Sequence, residues 1–331
     1  MRNRSVNFYL VSLASMFFCL FIQFFDPVFV REFMESKTYD LRLNLKNLLR
    51  EQQVDNSIVI VAVDERSLSE VGRWPWSRTV TADLIDKIGA YSPKAIGVDI
   101  MFSEKETSEA DTRLAGAIRK AGNVVLATAF LLPSDESEET TPPAVPDYLW
   151  DSAFMTVKTV PDIDWKKWAT RAVKVIPPVE VIAKQASLGH VTTKTDMDGV
   201  LRSEILSLRY GDDCYPSFAL QVARIALGVP PKDMVLYGGS SIRLDNRIIP
   251  TDLNGHNLIN YLGAENSFRY ISATDLLHGK ISPSALKGKI VLVGTSALAT
   301  YDQKVTPLSR NMPGVEKNAN VVQNILMNNF V

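Results

Sequence analysis

A single apolar stretch near the amino terminus places the strongest constraint on the fold of this chain. Residues 8–25 read FYLVSLASMFFCLFIQFF and contain no charged side chain. A helix of this length extends about 27 Å at 1.5 Å per residue, close to the roughly 30 Å hydrocarbon core of a bilayer. The stretch therefore predicts an N-terminal transmembrane helix.

Two other interpretations of this stretch are weaker. A helix buried in a protein core would rarely carry phenylalanine around its whole circumference. A cleaved signal peptide would explain Arg2 and Arg4, but its apolar region usually spans about 7–15 residues, and no A-x-A-like cleavage site follows here. We interpret residues 1–30 as a cytoplasmic tip followed by an uncleaved signal anchor.

The charges on either side of the stretch predict its orientation. Arg2 and Arg4 precede it, whereas Asp26, Arg31 and Glu32 follow it with mixed sign. The positive-inside rule then keeps the amino terminus in the cytoplasm and exports residues 31–331 as one domain. In a bacterium that carries the chain in its inner membrane, this domain faces the periplasm or the cell exterior.

The first half of the exported part predicts an α/β fold with a mostly parallel central sheet flanked by helices. An amphipathic helix over residues 31–52 precedes three apolar, strand-length segments at residues 57–64, 94–100 and 124–129. Helical patterns over residues 79–90 and 109–121 separate these segments, and Gly122 provides a C-cap. This βαβαβ order predicts right-handed crossovers. The acidic, proline-rich residues 134–147 indicate an exposed excursion.

The second half has a mixed pattern. Strands are predicted over residues 202–209, 257–262 and 289–294, with a hairpin that turns at Asp245 and Asn246. Helices are predicted over residues 216–227, from residue 273 to about Gly279, and over residues 314–327, the last with Val315, Ala319, Val322 and Leu326 on one face.

Composition excludes several partners and cofactors. Lys and Arg number 36 and Asp and Glu number 37, so the chain has no basic field for nucleic acid. The two cysteines and three histidines are far apart in sequence, which argues against a metal site. We expect no cofactor and no metal.

Candidate ligand-binding residues lie where parallel strands end, which is where ligands bind in open α/β sheets. Asp64 ends the first strand and Asp99 lies near the end of the second, while the loop between them carries Trp74, Trp76 and Arg78. Indole and guanidinium groups suit a ligand pocket. A structural role is the alternative, in which the aspartates cap turns, the tryptophans plug the sheet end and Arg78 pairs with a carboxylate.

Catalytic signatures are weak. The chain has no glycine-rich phosphate-binding loop, and the sequence Gly294-Thr295-Ser296-Ala297 differs from the G-x-S-x-G nucleophile elbow. We expect that the chain carries no catalytic site and is not an enzyme.

The chain resembles the type-2 CHASE domain, a sensory extracellular module associated with cyclases and histidine kinases. The matching segments occur in the family's order at residues 39–42, 60–64, 72–78, 97–103, 189–191, 198–202, 286–294, 306–307 and 313–316, together with Asp111, Leu114 and Asp302. Where the family often has His-Ala after Pro-Gly-Val-Glu, this chain has Lys317-Asn318-Ala319. Arg202 and Asp302 complete the set of candidate ligand-binding residues.

The resemblance implies an exported sensor of a small molecule or envelope signal, held in the membrane and paired as a homodimer. It further implies a cytoplasmic output that this chain does not contain, most often a nucleotide cyclase and otherwise a histidine kinase, a Ser/Thr kinase or a diguanylate cyclase. The resemblance carries over no ligand. A second hypothesis is a membrane-anchored interaction or assembly module without a small-molecule ligand.

Overall fold

The computed structural model describes residues 2–25, 28–49, 54–133, 145–300 and 302–331. The chain divides into two units, Met1–Glu51 and Gln52–Val331. Most of the predicted excursion over residues 134–147 lies outside the described residues, because these resume at residue 145.

Helices and strands alternate along the described residues. The α-helices are α1 (Arg2–Phe25), α2 (Val28–Leu49), α3 (Glu65–Val71), α4 (Arg78–Ala90), α5 (Ser108–Ala121), α6 (Asp147–Trp150), α7 (Trp165–Trp168), α8 (Glu180–Ala183), α9 (Phe218–Ala226), α10 (Ala273–Leu277) and α11 (Gly314–Met327). The strands are β1 (Ile58–Val63), β2 (Ala95–Val98), β3 (Val124–Leu131), β4 (Thr156–Lys158), β5 (Lys174–Ile176), β6 (Ser187–His190), β7 (Ser203–Ile205), β8 (Ser207–Tyr210), β9 (Asp213–Pro216), β10 (Met234–Tyr237), β11 (Ser241–Leu244), β12 (Arg247–Pro250), β13 (His256–Leu258), β14 (Arg269–Ser272), β15 (Ile290–Thr295), β16 (Gln303–Lys304) and β17 (Met312–Pro313).

The N-terminal unit contains the helices α1 and α2. Helix α1 includes the whole apolar stretch, and α2 confirms the predicted helix over residues 31–49, while the predicted residues 50–52 lie outside the described residues. Among the residues that the structure describes, none of the helices has the length and apolarity needed to cross a membrane. The transmembrane part of the fold prediction and the boundary at residue 31 stay predictions.

A central sheet, mostly parallel, organises the second unit and confirms the predicted α/β class. Its strand order is β14-β1-β15-β2-β3, with β6 parallel and β5 antiparallel to β3. Strand β15 lies between β1 and β2, where Val291 pairs with both Val59 and Ile96. The late strand therefore separates two strands that are consecutive in the predicted βαβαβ order.

Local capping explains the helices beside this sheet. Ser77 caps α4 and Thr107 caps α5 by accepting backbone N–H groups, and Gly122 ends α5 in the left-handed region at φ 75°. Both helices bury their apolar faces in the core that covers the sheet. Gly97 is needed inside β2, because a Cβ there would lie 2.7–2.8 Å from Leu292, Phe218 and Val222.

The structure corrects two predicted strands in the second half. The segment predicted as one strand over residues 202–209 is divided into β7 and β8, which pair with different partners, β13 and β9. The strand predicted over residues 257–262 is limited to β13 and ends at Leu258. The predicted hairpin is confirmed by the antiparallel pair of β11 and β12, where Asp245 has φ 57°.

Side chains of α11 replace strand pairing for the segment after β13. Asn324 Oδ1 accepts the backbone N–H of Asn260 at 2.9 Å, and Asn320 Oδ1 accepts that of Leu262 at 2.9 Å. Glu316 accepts the N–H groups of residues 266–268 at 2.8–3.3 Å. These three polar residues are spaced by four along α11 and lie on one side of the helix. That side supplies side-chain acceptors to a segment whose backbone makes few hydrogen bonds with other backbone groups.

Candidate functional site

The carboxyl edge of the central sheet, where its parallel strands end, collects the polar residues that are candidates for function. Asp64 follows β1, Asp99 follows β2, and Ser272, Thr295 and His190 end β14, β15 and β6. Asp64 and Asp99 both lie at this edge, as predicted. Strand β15 separates β1 from β2, and the carboxylates of Asp64 and Asp99 form hydrogen bonds with different partners.

Asp64 caps a helix. Its Oδ1 accepts the backbone N–H of Ser67 at 2.8 Å at the start of α3 and the hydroxyl of Ser272 at 2.9 Å. Partial burial would raise the pKa of Asp64, but these hydrogen bonds outweigh burial and lower it. A charged capping carboxylate with two donors matches the structural alternative for Asp64.

The loop over residues 72–77 packs on itself around its two indoles. The ring centroids of Trp74 and Trp76 are 5.7 Å apart in an edge-to-face arrangement, and Trp76 Nε1 donates to the carbonyl of Gly72 at 3.1 Å. Trp76 is buried and Trp74 is half-buried against the core. The tryptophans therefore close the end of the core, which also fits the structural alternative.

Arg78 connects this loop to the segment after β2. Its Nη2 donates to the carbonyl of Glu104 at 2.8 Å, its Nε lies 3.5 Å from Asp111 Oδ1, and its guanidinium carbon lies 4.8 Å from the ring centroid of Phe102. Arg78 is buried, and Asp111 supplies the opposite charge that a buried guanidinium needs.

Arg202 is held by two aspartates of the preceding turn. Its Nη1 and Nη2 bind the two carboxylate oxygens of Asp198 at 2.8 Å each, and its Nη1 binds Asp196 at 2.6 Å. This bidentate geometry is the strong form of an arginine–carboxylate pair. Its guanidinium fixes the turn before β7.

Asp99 and Asp302 are the two candidates that the structure brings together. Asp99 Oδ2 accepts Asn318 Nδ2 of α11 at 2.8 Å, and Asp302 binds Lys304 at 3.1 Å. The Asp302 carboxylate lies so close to Gly314, the first residue of α11, that a Cβ there would overlap it. Burial and the charge of Asp302 raise the pKa of Asp99 to about 7, although Lys317 and Asn318 oppose the change.

A buried ion pair that the sequence did not reveal lies next to Asp99. Lys317 Nζ binds Glu204 Oε2 of β7 at 2.8 Å and Asn318 Oδ1 at 2.7 Å. The Lys317 and Glu204 side chains are only 2% and 1% exposed. Lys317 connects α11 to β7. In the part of the chain that the structure describes, no group of three or more His, Cys, Asp or Glu side chains is arranged to hold a metal ion.

A small pocket lies at the same edge, beside β3 and β6; we name it the His190 pocket. Its polar lining comes from Thr128, Ser152, His190 and Tyr215, and Phe130, Leu149 and Leu188 are among its apolar walls. Both ring nitrogens of His190, the Thr128 hydroxyl and the Tyr215 hydroxyl are buried and have no hydrogen-bond partner among the described residues. Unpaired buried groups of this kind are costly, but the space between them does not admit a molecule of the size of water in this structure.

The electrostatics of this pocket favour uncharged molecules. Burial, helped by the charge of Lys317, lowers the pKa of His190 to about 3 and keeps its ring neutral at physiological pH. The pocket then offers one imidazole and two hydroxyls, each able to donate and to accept. Sequence reasoning missed this pocket because Thr128, His190 and Tyr215 belong to three different strands.

Comparison with known proteins identifies one family. The family model described as the CHASE2 domain matches residues 13–331. Neither the curated proteins nor the solved structures contain a match to this chain.

The buried ion pair generates a stability prediction. We expect Lys317→Met to reduce the free energy of unfolding by about 3–5 kcal/mol, because it leaves the Glu204 carboxylate buried without a counter-charge. The half-exposed Lys304, which pairs with Asp302, supplies the matched control, and Lys304→Met should change stability by only about 0–1 kcal/mol. Urea unfolding followed by tryptophan fluorescence measures both. Equal losses in the two variants would contradict a special role for Lys317.

Asp99 generates a pH prediction. Its folded-state pKa of about 7 lies above the unfolded value of about 3.9. The stability that Asp99 contributes is therefore complete below about pH 4 and is lost as pH rises through about 7. An asparagine at this position would not titrate, so Asp99→Asn should gain stability relative to the original chain between pH 5 and pH 8. Unfolding curves of the original chain and of Asp99→Asn at both pH values test this. A difference in the free energy of unfolding that does not change with pH would contradict it.

Proposed function

Because the chain belongs to the CHASE2 domain family, whose members are extracellular sensory domains of signalling receptors, we propose that it is the sensory input domain of a bacterial transmembrane receptor. The observation that carries this proposal is the family match over residues 13–331, almost the whole chain. A sensory family is consistent with the expectation that the chain is not an enzyme.

In this proposal, α1 anchors the domain in the inner membrane with its amino terminus in the cytoplasm. The support is the charge-free sequence of residues 8–25, together with the exposure of every described side chain from Tyr9 to Phe21. Exposed apolar side chains of this kind suit a lipid environment better than water. Residues 31–331 are then periplasmic or extracellular.

The ligand in this proposal is a small uncharged molecule that binds in the His190 pocket. The support is the set of unpaired buried polar groups at the carboxyl edge, where ligands of parallel sheets usually bind. Of the candidate residues, Asp64, Trp76, Arg78 and Arg202 already have partners within the chain, so they are better suited to hold the edge in shape. The pocket does not admit a molecule of the size of water in this structure, so binding has to open it.

Signal passes from the carboxyl edge to α11 in this proposal. Asp99 binds Asn318, and Lys317 acts electrostatically on both Asp99 and His190. A ligand that favours one arrangement of this polar cluster shifts a two-state equilibrium by its differential affinity. The signal is received by a cytoplasmic output domain, in the first place a nucleotide cyclase and otherwise a histidine kinase, a Ser/Thr kinase or a diguanylate cyclase. The receptor works as a homodimer. The rival function is an anchored assembly module that binds a protein and no small molecule.

Orientation in the membrane can be tested by cysteine labelling. In a Cys19→Ser background, Lys120→Cys places a thiol on a side chain that is 76% exposed. The remaining Cys214 is buried and its pKa is raised to about 12, so it should react slowly with maleimides. We expect a membrane-impermeant maleimide to label the variant in cells with a permeabilised outer membrane. The background chain without Lys120→Cys is the control, and labelling only in inverted vesicles would contradict export.

Ligand binding can be tested by thermal melts of the purified full chain in detergent with a panel of small alcohols, amides and lactones. We expect at least one compound to raise the melting temperature of the original chain and to lose its effect in Thr128→Val/Tyr215→Phe, which keeps the side-chain shapes but removes both hydroxyls. Asp99→Asn should keep the response. A response lost in Trp76→Ala and Asp99→Ala instead moves the ligand to the loop over residues 72–77, and stabilisation by a partner protein alone favours the assembly module.

A further inference from the structure

Helix α2 exposes an apolar stripe at regular spacing. Met34, Leu41, Leu45 and Leu48 are 54%, 60%, 44% and 81% exposed. With the exposed Thr38 between the first two, the spacings along the helix are four, three, four and three residues. We name these five residues the α2 seam.

This spacing matches two heptads of a coiled coil. Alternating steps of four and three place Thr38 and Leu45 at heptad position a, and Met34, Leu41 and Leu48 at position d. The side of α2 opposite to the seam holds Tyr39 and Leu43, which are each only 3% exposed. The seam is therefore the exposed apolar side of the helix.

We propose that the α2 seam packs against the α2 seam of a second copy of this chain, in a parallel two-helix coiled coil. The proposal rests on the homodimer of the proposed function and assigns its contact surface. A seam of matched a and d positions is self-complementary, as a twofold-symmetric interface requires. Parallel alignment follows if both copies are anchored by α1 in one membrane.

The small size of the seam limits the stability of this contact. A standard interface buries about 800 Å² on each partner, and two heptads provide less than that. The contact is therefore weak between free helices and strengthened when anchors confine both copies to one membrane, since confinement raises the effective concentration. Weak pairing of this kind suits a receptor whose dimer contact has to respond to a signal.

Charges beside the seam define a test of its register. In a parallel pair, Lys37 at position g of one copy faces Arg42 at position e of the other, so two like-charge contacts flank the seam. Lys37→Glu turns both into opposite-charge contacts. We expect the variant to dimerise about tenfold more tightly at low salt, because each contact changes from repulsion to attraction.

The experiment measures dimerisation of the full chain in detergent micelles by sedimentation equilibrium, without any ligand. Leu45→Gln should abolish the dimer, whereas Phe33→Gln, which replaces an exposed apolar side chain outside the seam without placing a charge beside Lys37, should leave it intact. Lys37→Glu should tighten the dimer, and Lys37→Glu/Arg42→Glu, which restores like charges, should return it to the original affinity. Circular dichroism verifies that each variant is folded.

Cross-linking in membranes gives a second readout. In the Cys19→Ser background, Leu41→Cys should form a disulfide-linked dimer on mild oxidation, and Phe33→Cys should not. If Lys37→Glu weakens association and Leu41→Cys fails to cross-link, the seam contacts lipid headgroups and the proposal is wrong. Since no ligand or output is involved, a failure of sensing would leave these results unchanged.

Discussion

The hydrogen bonds from the polar side of α11 to the segment after β13 are the interaction on which the second unit depends. Glu316, Asn320 and Asn324 are 0–2% exposed and accept backbone N–H groups from that segment. Buried polar groups of this kind are costly unless each finds its partner. The helix therefore has one position that satisfies them all, and in this position Asn318 reaches Asp99 at the carboxyl edge of the sheet.

Much of the local structure could be predicted because its causes are local. Helix α11 begins and ends at the predicted residues 314 and 327, and α10 begins at the predicted residue 273 but ends at Leu277, before the predicted end near Gly279. Gly122 ends α5 in the left-handed conformation that glycine adopts at least cost. Periodicity, caps and turn residues act over a few positions, so a single sequence contains them.

The long-range features could not be predicted in the same way. Nothing within residues 289–294 indicates that this strand lies between β1 and β2, since that position depends on pairing with segments about two hundred residues away. The predicted strand over residues 257–262 failed for a related reason. Its apolar and polar residues resemble a strand, but beyond Leu258 the backbone is satisfied by side chains of α11. The pair of Lys317 and Glu204 joins residues 113 positions apart.

The candidate site shows the same division. Strand ends were sufficient to place Asp64 and Asp99 at the carboxyl edge, but not to show that Asp64 caps α3 while Asp99 contacts α11. The structure adds one residue, Lys317, whose charge acts on both His190 and Asp99. The charge of Lys317 opposes the protonation of His190 and favours the ionised form of Asp99. In the proposed function, a neutral molecule that hydrogen-bonds to His190 and moves Lys317 would change the charge balance at Asp99, and tenfold discrimination between the two arrangements, about 1.4 kcal/mol, would be enough to bias the position of α11.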